Sequence, residues 1–412
     1  MSKCVVRCVL CVITVVSASV VTAQDWPQFR GPSGYSYADV ATALPLEDGL
    51  DVAWEVPTNG QGISGAIVIG GQVVVSSSGG EDERDLSIES FDVATGDRLW
   101  WRTFHALGRP YTHPTSANAA PTPASDGEHV VAFFSSCDLV CLKIDGTPVW
   151  YRALAVDHPQ TGNDISMTSS PAIFDGVVAL LMENQGDSFA AGIDLATGVT
   201  LWEHARPRRS GWSSPIGFRM PDGDVADAGE PVFAFQNGSG IELLHARSGD
   251  LLRSIDVPGS SQSSPVWVEP LLIATGDGLT AVDLSDADSP VVWENTKLTA
   301  SSASPVVTAD RVYTCRGSIL IAADRATGEM IWRQRMNDVG TVWATPVATR
   351  TGIYVVDQSG AVTVVVDEGG EARVVGRSEL TGPTLASPAV SAGAVFIRSD
   401  RSLIKIASQP TS

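Results

Sequence analysis

Asp92-Val93-Ala94-Thr95-Gly96-Asp97-Arg98-Leu99-Trp100 reads as a tight turn running into a strand, and the chain repeats it. Asp194-Leu195-Ala196-Thr197-Gly198 leads to Trp202, and Asp324-Arg325-Ala326-Thr327-Gly328 leads to Trp332, with the same step of four residues from Gly to Trp each time. Self-similarity of this kind marks a repeat architecture. Asp and Thr side chains suit hydrogen bonds to turn backbone, Gly suits a positive φ, and Trp suits packing on a neighbouring unit. The chemistry of Asp92, Thr95, Gly96, Trp100, Asp194, Thr197, Gly198, Trp202, Asp324, Thr327, Gly328 and Trp332 is therefore architectural.

Weaker copies fill the gaps: Asp145-Gly146 before Trp150, Ser248-Gly249 before Arg253, an irregular turn before Trp293, and Gly369-Gly370 before Val374. Trp54 is an eighth marker with no strand of its own before it. Successive markers lie 39 to 52 residues apart, about the length of a four-stranded propeller blade. After the last marker, Ser387–Val390, Ala394–Ile397 and Leu403–Ile406 supply three strands and need a fourth, which Ala53-Trp54-Glu55-Val56 can provide. The expected fold is all-β, an eight-bladed β-propeller of four-stranded antiparallel blades closed by an N-terminal strand near Trp54. A second series, Pro121, Pro171, Pro215, Pro265, Pro305, Pro346 and Pro388, is read as the blade openings, where Pro gives up a ladder donor at little cost.

The expected divisions are a signal peptide at 1–23, an N-terminal extension at 24–52, the propeller at 53–406 and a tail at 407–412. Lys3 and Arg7 precede an apolar run from Cys8 to Val21 that ends in Val21-Thr22-Ala23, the pattern of an export signal. As a helix that run rises about 21 Å, short of a bilayer core of roughly 30 Å, although retention as an anchor stays open. The balance of 27 basic against 47 acidic residues, −20 in all, repels phosphate backbones and excludes nucleic acid as an expected partner. Beyond the signal segment Cys137, Cys141 and Cys315 remain. Cys137 and Cys141 stand about 13 Å apart along a strand, out of disulfide reach, so buried small hydrophobes are expected.

The Ala-Thr-Gly-x-x-x-Trp repeats with Ser-Ser-Pro openings resemble pyrroloquinoline-quinone-like (PQQ-like) β-propeller repeats over about residues 53–406. Asp25-Trp26-Pro27-Gln28-Phe29-Arg30-Gly31-Pro32 resembles the start of exported planctomycete-type proteins of this kind. Two branches of the fold suggest themselves: quinoprotein dehydrogenases, with quinone and calcium in the funnel, and the propeller subunit of the outer-membrane β-barrel assembly machinery, which binds proteins. The dehydrogenase branch implies an adjacent Cys-Cys pair and a Glu/Asn/Asp calcium set. No Cys-Cys pair exists here, and no catalytic residue transfers.

Uneven connections locate the candidate site. From marker to the next Pro the intervals are 21 and 21 residues for the first two blades, then 12 to 14. The long connections, about 102–118 and 152–168, leave from equivalent positions and are expected to form a lip on one face. His113, Asn118, His158, Asn163 and Asp164, with Arg208, Arg209 and Trp212 on the next connection, are the candidate binding residues, since Arg and Trp are favoured interface anchors. The His residues lack the close spacing of a metal site, so no metal is expected. Asp222, Asp224, Asp227 and Glu230 read as a solvated turn and Glu81-Asp82-Glu83 as an exposed hairpin tip. The functional expectation is an exported, periplasmic or secreted, monomeric scaffold without catalysis or cofactor, binding protein or extracellular polymer. The alternative is a PQQ/calcium- or metal-dependent oxidoreductase.

Overall fold

The computed structural model describes residues 24–42, 51–109, 112–162, 167–221, 229–286, 288 and 290–407. Residues 1–23, read above as an export signal, lie outside them, as do Asn163, Asp164 and the acidic residues Asp222, Asp224 and Asp227. Eight sheets follow one another along the chain, spanning 67–105, 124–153, 172–205, 216–255, 266–295, 306–335, 347–379 and 389–406. They are numbered here as blades 1 to 8. Each has four antiparallel strands from the axis outward, and Val52–Pro57 is the outermost strand of blade 8, with Trp54 opposite Lys405. The expected all-β, eight-bladed propeller is the observed fold. Middle strands such as His129–Phe133 and Asp138–Lys143 are buried on both faces because each blade packs between two others, so their sequences read as continuous apolar runs.

At the rim, the Trp of one blade lies on the turn Gly of the next. A Cβ on Gly146 would come within 2.7 Å of the Trp100 ring, and one on Gly198 within 2.7 Å of Trp150. The indole Nε1 of Trp100, Trp150, Trp202 and Trp293 donates at 2.8–2.9 Å to the carbonyls of Ile144, Leu195, Ala246 and Arg325, and Trp54 reaches Val93 across the seam between blades 8 and 1. Arg253 replaces the indole in blade 4 and donates to the equivalent carbonyl, Leu284. A register shift one residue before each marker turns it sideways, the usual effect of a bulge. This register corrects the blade 7 marker: Val365 faces Val374 and Val364 faces Gly376, so Gly376, not Val374, is equivalent to the Trp. No Trp is needed there, because blade 8 joins strands from distant parts of the chain and has no third-to-fourth-strand turn for it to cover.

At the axis, backbone N–H groups run from blade to blade into hydroxyls. Gly65 donates to Thr122, Thr122 to Ser170, Ser170 to Ser214 and Ser214 to Ser264, all at 2.9–3.0 Å. Ser264 donates to Ser304, Ser304 to Thr345 and Thr345 to Ser387 at the same distances. Each hydroxyl residue precedes the opening Pro. In blade 2 that places Pro123 in register, correcting Pro121: Ala-Pro-Thr-Pro offers two prolines, and only the second follows the bonded Thr122.

Blade 1 has Gly65 in place of the hydroxyl residue, so the seam between blades 8 and 1 is held differently. The buried Arg398 of blade 8 donates through Nη1 to the Ser76 carbonyl and through Nη2 to the Ser77 hydroxyl at 3.1 Å. Ser77 in turn donates to the buried Glu89 at 2.9 Å, which also accepts the Asn59 amide at 2.8 Å. Burial lowers the Arg398 guanidinium to about 10, and Glu89 opposes the shift.

Residues 24–42 form a strap across the base. Trp26 bridges Val68, the Ser125 amide donates to the Pro27 carbonyl, Val307 to Tyr35 and Ala348 to Ser36. These partners stand three residues beyond Gly65, Thr122, Ser304 and Thr345, so the strap lies about 10 Å below the hydroxyl ring at strand rise. Tyr37–Ala38 adds a parallel strand to blade 7. Arg30 is buried with Nη1 on the Pro265 carbonyl at 2.8 Å, and burial lowers it to about 9.

Among the described residues Cys137, Cys141 and Cys315 are free and buried, and burial pushes the Cys141 and Cys315 thiols up to about 12. Trp202→Ala is expected to cost about 3–5 kcal/mol, and Gly249→Ala, at φ 74° beneath that ring, ~1–3 kcal/mol, both read by denaturant unfolding. The turn carboxylates carry a pH signature. The Thr95 amide on Asp92, the Thr197 hydroxyl on Asp194 and the Thr327 amide on Asp324 each hold the acid below its usual range. A folded value below the unfolded one gives stability that is present above about pH 4 and lost as pH falls through the folded value. The midpoint temperature should therefore fall below about pH 4, and less steeply in an Asp92→Asn/Asp194→Asn/Asp324→Asn variant.

Candidate functional site

The strap turns the axial channel into a blind well of about 430 Å³, with Phe29 at its base. Strand alternation builds the wall in two tiers. The lower tier is the bonded ring from Gly65 to Ser387. The upper tier is the residue two positions earlier in every blade: Ile63, Ala120, Thr168, Trp212, Gln262, Ser302, Trp343 and Leu385. The residues between, such as Ser213, Ser263, Ala303 and Ala344, are buried in the blades. The lower tier is nearly uniform because it joins the blades. The upper-tier side chains stand outside that series and are varied: Trp343, Leu385, Ile63 and Ala120 make an apolar wall over blades 7, 8, 1 and 2, and Thr168, Gln262 and Ser302 make a polar one, interrupted by Trp212.

The enlarged connection between blades 1 and 2 overhangs this well with His113, Thr115 and Ser116. Its anchor is Glu83, whose carboxylate accepts the Asn118 amide and the Ser78 hydroxyl at 2.6 Å and the Thr112 hydroxyl at 2.9 Å. Glu83 is thus a clamp, which corrects the reading of Glu81-Asp82-Glu83 as a wholly exposed tip. Only Glu81 and Asp82 are fully exposed. The Thr115 amide donates to Nδ1 of His113 at 3.2 Å, so the neutral ring carries its proton on Nε2.

A buried ion pair sets Trp212. Arg206 Nε meets Glu183 at 3.1 Å, its Nη1 meets Glu242, and the Gly211 amide donates to the Glu183 carbonyl at 3.2 Å. Burial raises the Glu183 carboxyl, against the pull of Arg206. On the neighbouring connection the buried Gln236 donates to the carbonyls of Ser260 and Ser263 at 3.1 Å, fixing the turn that carries Gln262.

Of the sequence-derived candidates, His113 and Trp212 line the well. Asn118 is buried, donating to the Glu83 carbonyl and accepting the Ser136 amide at 2.8 Å. His158 stacks on Phe189, with centroids 4.0 Å apart, and meets Glu203 at 3.1 Å. Arg208 pairs with Asp187 at 3.5 Å and Arg209 reaches Ser239 at 3.4 Å. The described parts of the two enlarged connections therefore differ: His113, Thr115 and Ser116 overhang the well, whereas His158 packs on blade 3 and Thr168, at the end of its connection, joins the wall. Phe29, Trp343 and Gln262 were missed. The signal for Trp343 and Gln262 was a position, two residues before the hydroxyl of each Ser/Thr-Pro step, visible once the repeats are aligned on that step, whereas nothing of the kind marks Phe29 on the strap.

The chemistry is that of hydroxyls, amide and aromatic rings. Among the described residues, no carboxylate, Lys or Arg lines the well, and no group of three or more His, Cys, Asp or Glu is placed to hold a metal ion. The lining thus does not fit a quinone–calcium pair, which needs carboxylate oxygens on the cation and donors of positive charge for the quinone's own carboxylates.

A family model described as outer membrane protein assembly factor BamB matches residues 34–217, 166–334, 230–373 and 316–409. No curated protein matches. Among solved structures, BamB from Moraxella catarrhalis is similar with a TM-score of 0.64 at 18% identity, covering 88% of this chain and 99% of that one. Quinohemoprotein alcohol dehydrogenase from Comamonas testosteroni gives 0.67 at 11%, covering 94% and 82%. A europium-containing methanol dehydrogenase gives 0.56 at 12%, covering 91% and 90%. At such identities the structural likeness carries the fold, while the family match runs through all eight blades. The chain therefore belongs to the PQQ-like propeller family described as outer membrane protein assembly factor BamB.

Proposed function

We propose that this protein is an exported, non-catalytic binding module that presents the axial well and its overhanging loop to a protein or extracellular polymer. The observation that carries the reading is the lining: a pocket of small-ligand size with two exposed or half-buried Trp rings and convergent hydroxyls and, among the described residues, no carboxylate pair and no metal set. The family description supports it, since an assembly factor works by contact. The Lys3-Arg7 segment and its apolar run support export to the periplasm or beyond. Among the described residues no helix is long and apolar enough to cross a membrane.

Ser302 is half-buried in the upper tier and outside the lower series of amide-to-hydroxyl bonds, so Ser302→Trp fills the well while leaving that series intact and giving up only the exposed Ser302–Gln262 contact. Pulldown from an extract of the exported fraction is expected to lose specific partners with this variant at unchanged midpoint temperature. Equal recovery by variant and parent would refute the well as the binding site. The oxidoreductase alternative is tested by adding the quinone with calcium. No thermal shift and no redox-dye turnover are expected, whereas a bound ligand in large excess would stabilise by a few kcal/mol.

A further inference from the structure

We propose that the ligand of the well is an uncharged sugar residue, stacked on Trp343 and hydrogen-bonded by Gln262, Ser302 and the lower hydroxyl ring. This deepens the binding-module reading and rests on it.

The lower ring sets the demand. Each hydroxyl oxygen accepts one backbone N–H from the blade before it, as Ser214 does from Ser170 and Ser264 from Ser214. That leaves the hydroxyl proton and a lone pair for the lumen, because no acceptor among the described residues takes the proton. A hydrocarbon or flat aromatic guest would dehydrate this ring without replacing its bonds, at about 1–3 kcal/mol for each group left unpaired. An anion would meet no Lys or Arg in the lining, and a cation no carboxylate. A guest that satisfies the well must carry several neutral groups able both to donate and to accept.

The upper tier adds the second demand. Trp343 is 45% exposed at the mouth, and with Leu385 and Ile63 it offers a continuous apolar wall. Gln262 and Ser302, 3.3 Å apart, and the Nε2 side of His113 offer polar groups. A pyranose has this division within one residue: C–H faces that lie flat on an aromatic ring, and a perimeter of hydroxyls. An uncharged peptide segment shares the neutrality but has its polar groups on the backbone, one donor and one acceptor per residue, and lacks the density of hydroxyls that the seven lower-tier hydroxyls can engage.

The test uses the full mature protein with neutral oligosaccharides of glucose, xylose, mannose and N-acetylglucosamine, alongside hexuronate oligomers, in calorimetric titration and insoluble-polysaccharide pulldown. At least one neutral series should bind saturably at one site. Trp343→Ala and Gln262→Ala should each weaken it tenfold or more, while Trp101→Ala on the outer rim, 54% exposed, leaves it unchanged. Equal midpoint temperatures for the four proteins exclude unfolding as the cause. Binding only to hexuronates, or to a neutral sugar with undiminished affinity in Trp343→Ala, overturns the proposal. If no glycan binds while Ser302→Trp still abolishes capture of a protein, the sugar assignment falls and the binding-module reading stands. If neither occurs, both fall.

Discussion

A backbone amide in one blade giving its proton to a hydroxyl in the next is the contact on which the rest of this molecule depends. It occurs where the blades converge, at 2.9–3.0 Å, in seven of the eight junctions between Gly65 and Ser387. Each such bond contributes on the order of 1 kcal/mol, a small amount beside the apolar burial between blades. Its importance is geometric. One short bond at the narrow end fixes how closely two blades approach at the axis, as the Trp-on-Gly contact fixes them at the rim, and two fixed distances per junction determine the angle between neighbours. The one junction without the hydroxyl is the one with Arg398 and Glu89 buried across it, where a charged network does the work of a missing side chain.

The same bonds divide labour along the lumen. Because Ser and Thr at the lower tier are committed to joining blades, they give the well a nearly constant floor chemistry. The side chains of the tier above, from Ile63 to Leu385, take no part in that series of amide-to-hydroxyl bonds, and it is there that residues as different as Ala120, Gln262 and Trp343 succeed one another. Variation in what the pocket accepts is thus separated by two residues from the contact that keeps the ring circular. The anchoring side chains respect the same division: Glu83, Glu183 and Gln236 hold connections in place from behind without entering the lumen.

Much of the architecture was legible because its determinants are local. Asp-x-x-Thr-Gly and the following Trp are one turn and one strand, so their period can be counted in the sequence. The misreadings came from places where two residues could satisfy the same local rule. Pro121 and Pro123 both follow small residues, and only the inter-blade bond to Thr122 chooses between them. Val374 keeps the Gly-to-marker spacing, and only the bulge in the ladder shows that Gly376 holds the position. At the site, His113 and Trp212 stood out as chemically distinctive residues on connections. Asn118, His158 and Arg208 stood out equally but are spent on packing and ion pairs that no spacing discloses. Phe29 could not be assigned from sequence, since its role exists only because the strap crosses the base some distance from every residue it helps to enclose.

The pairing of Trp54 with Lys405 has a consequence for how the ring is made. Blades 1 to 7 can each acquire four strands from nearly contiguous chain, but the outermost strand of blade 8 must wait for a partner some 350 residues downstream. Until then Ser402–Ile406 presents a bare edge and the 24–42 strap lacks the surface it crosses. Closing contacts of such sequence separation are slow to form because loop-closure entropy is spent before they reward it, and an open edge recruits other chains meanwhile. Closure therefore joins the earliest-made part of the propeller to the latest, and the edge of Ser402–Ile406 is covered only by a strand from the other end of the chain.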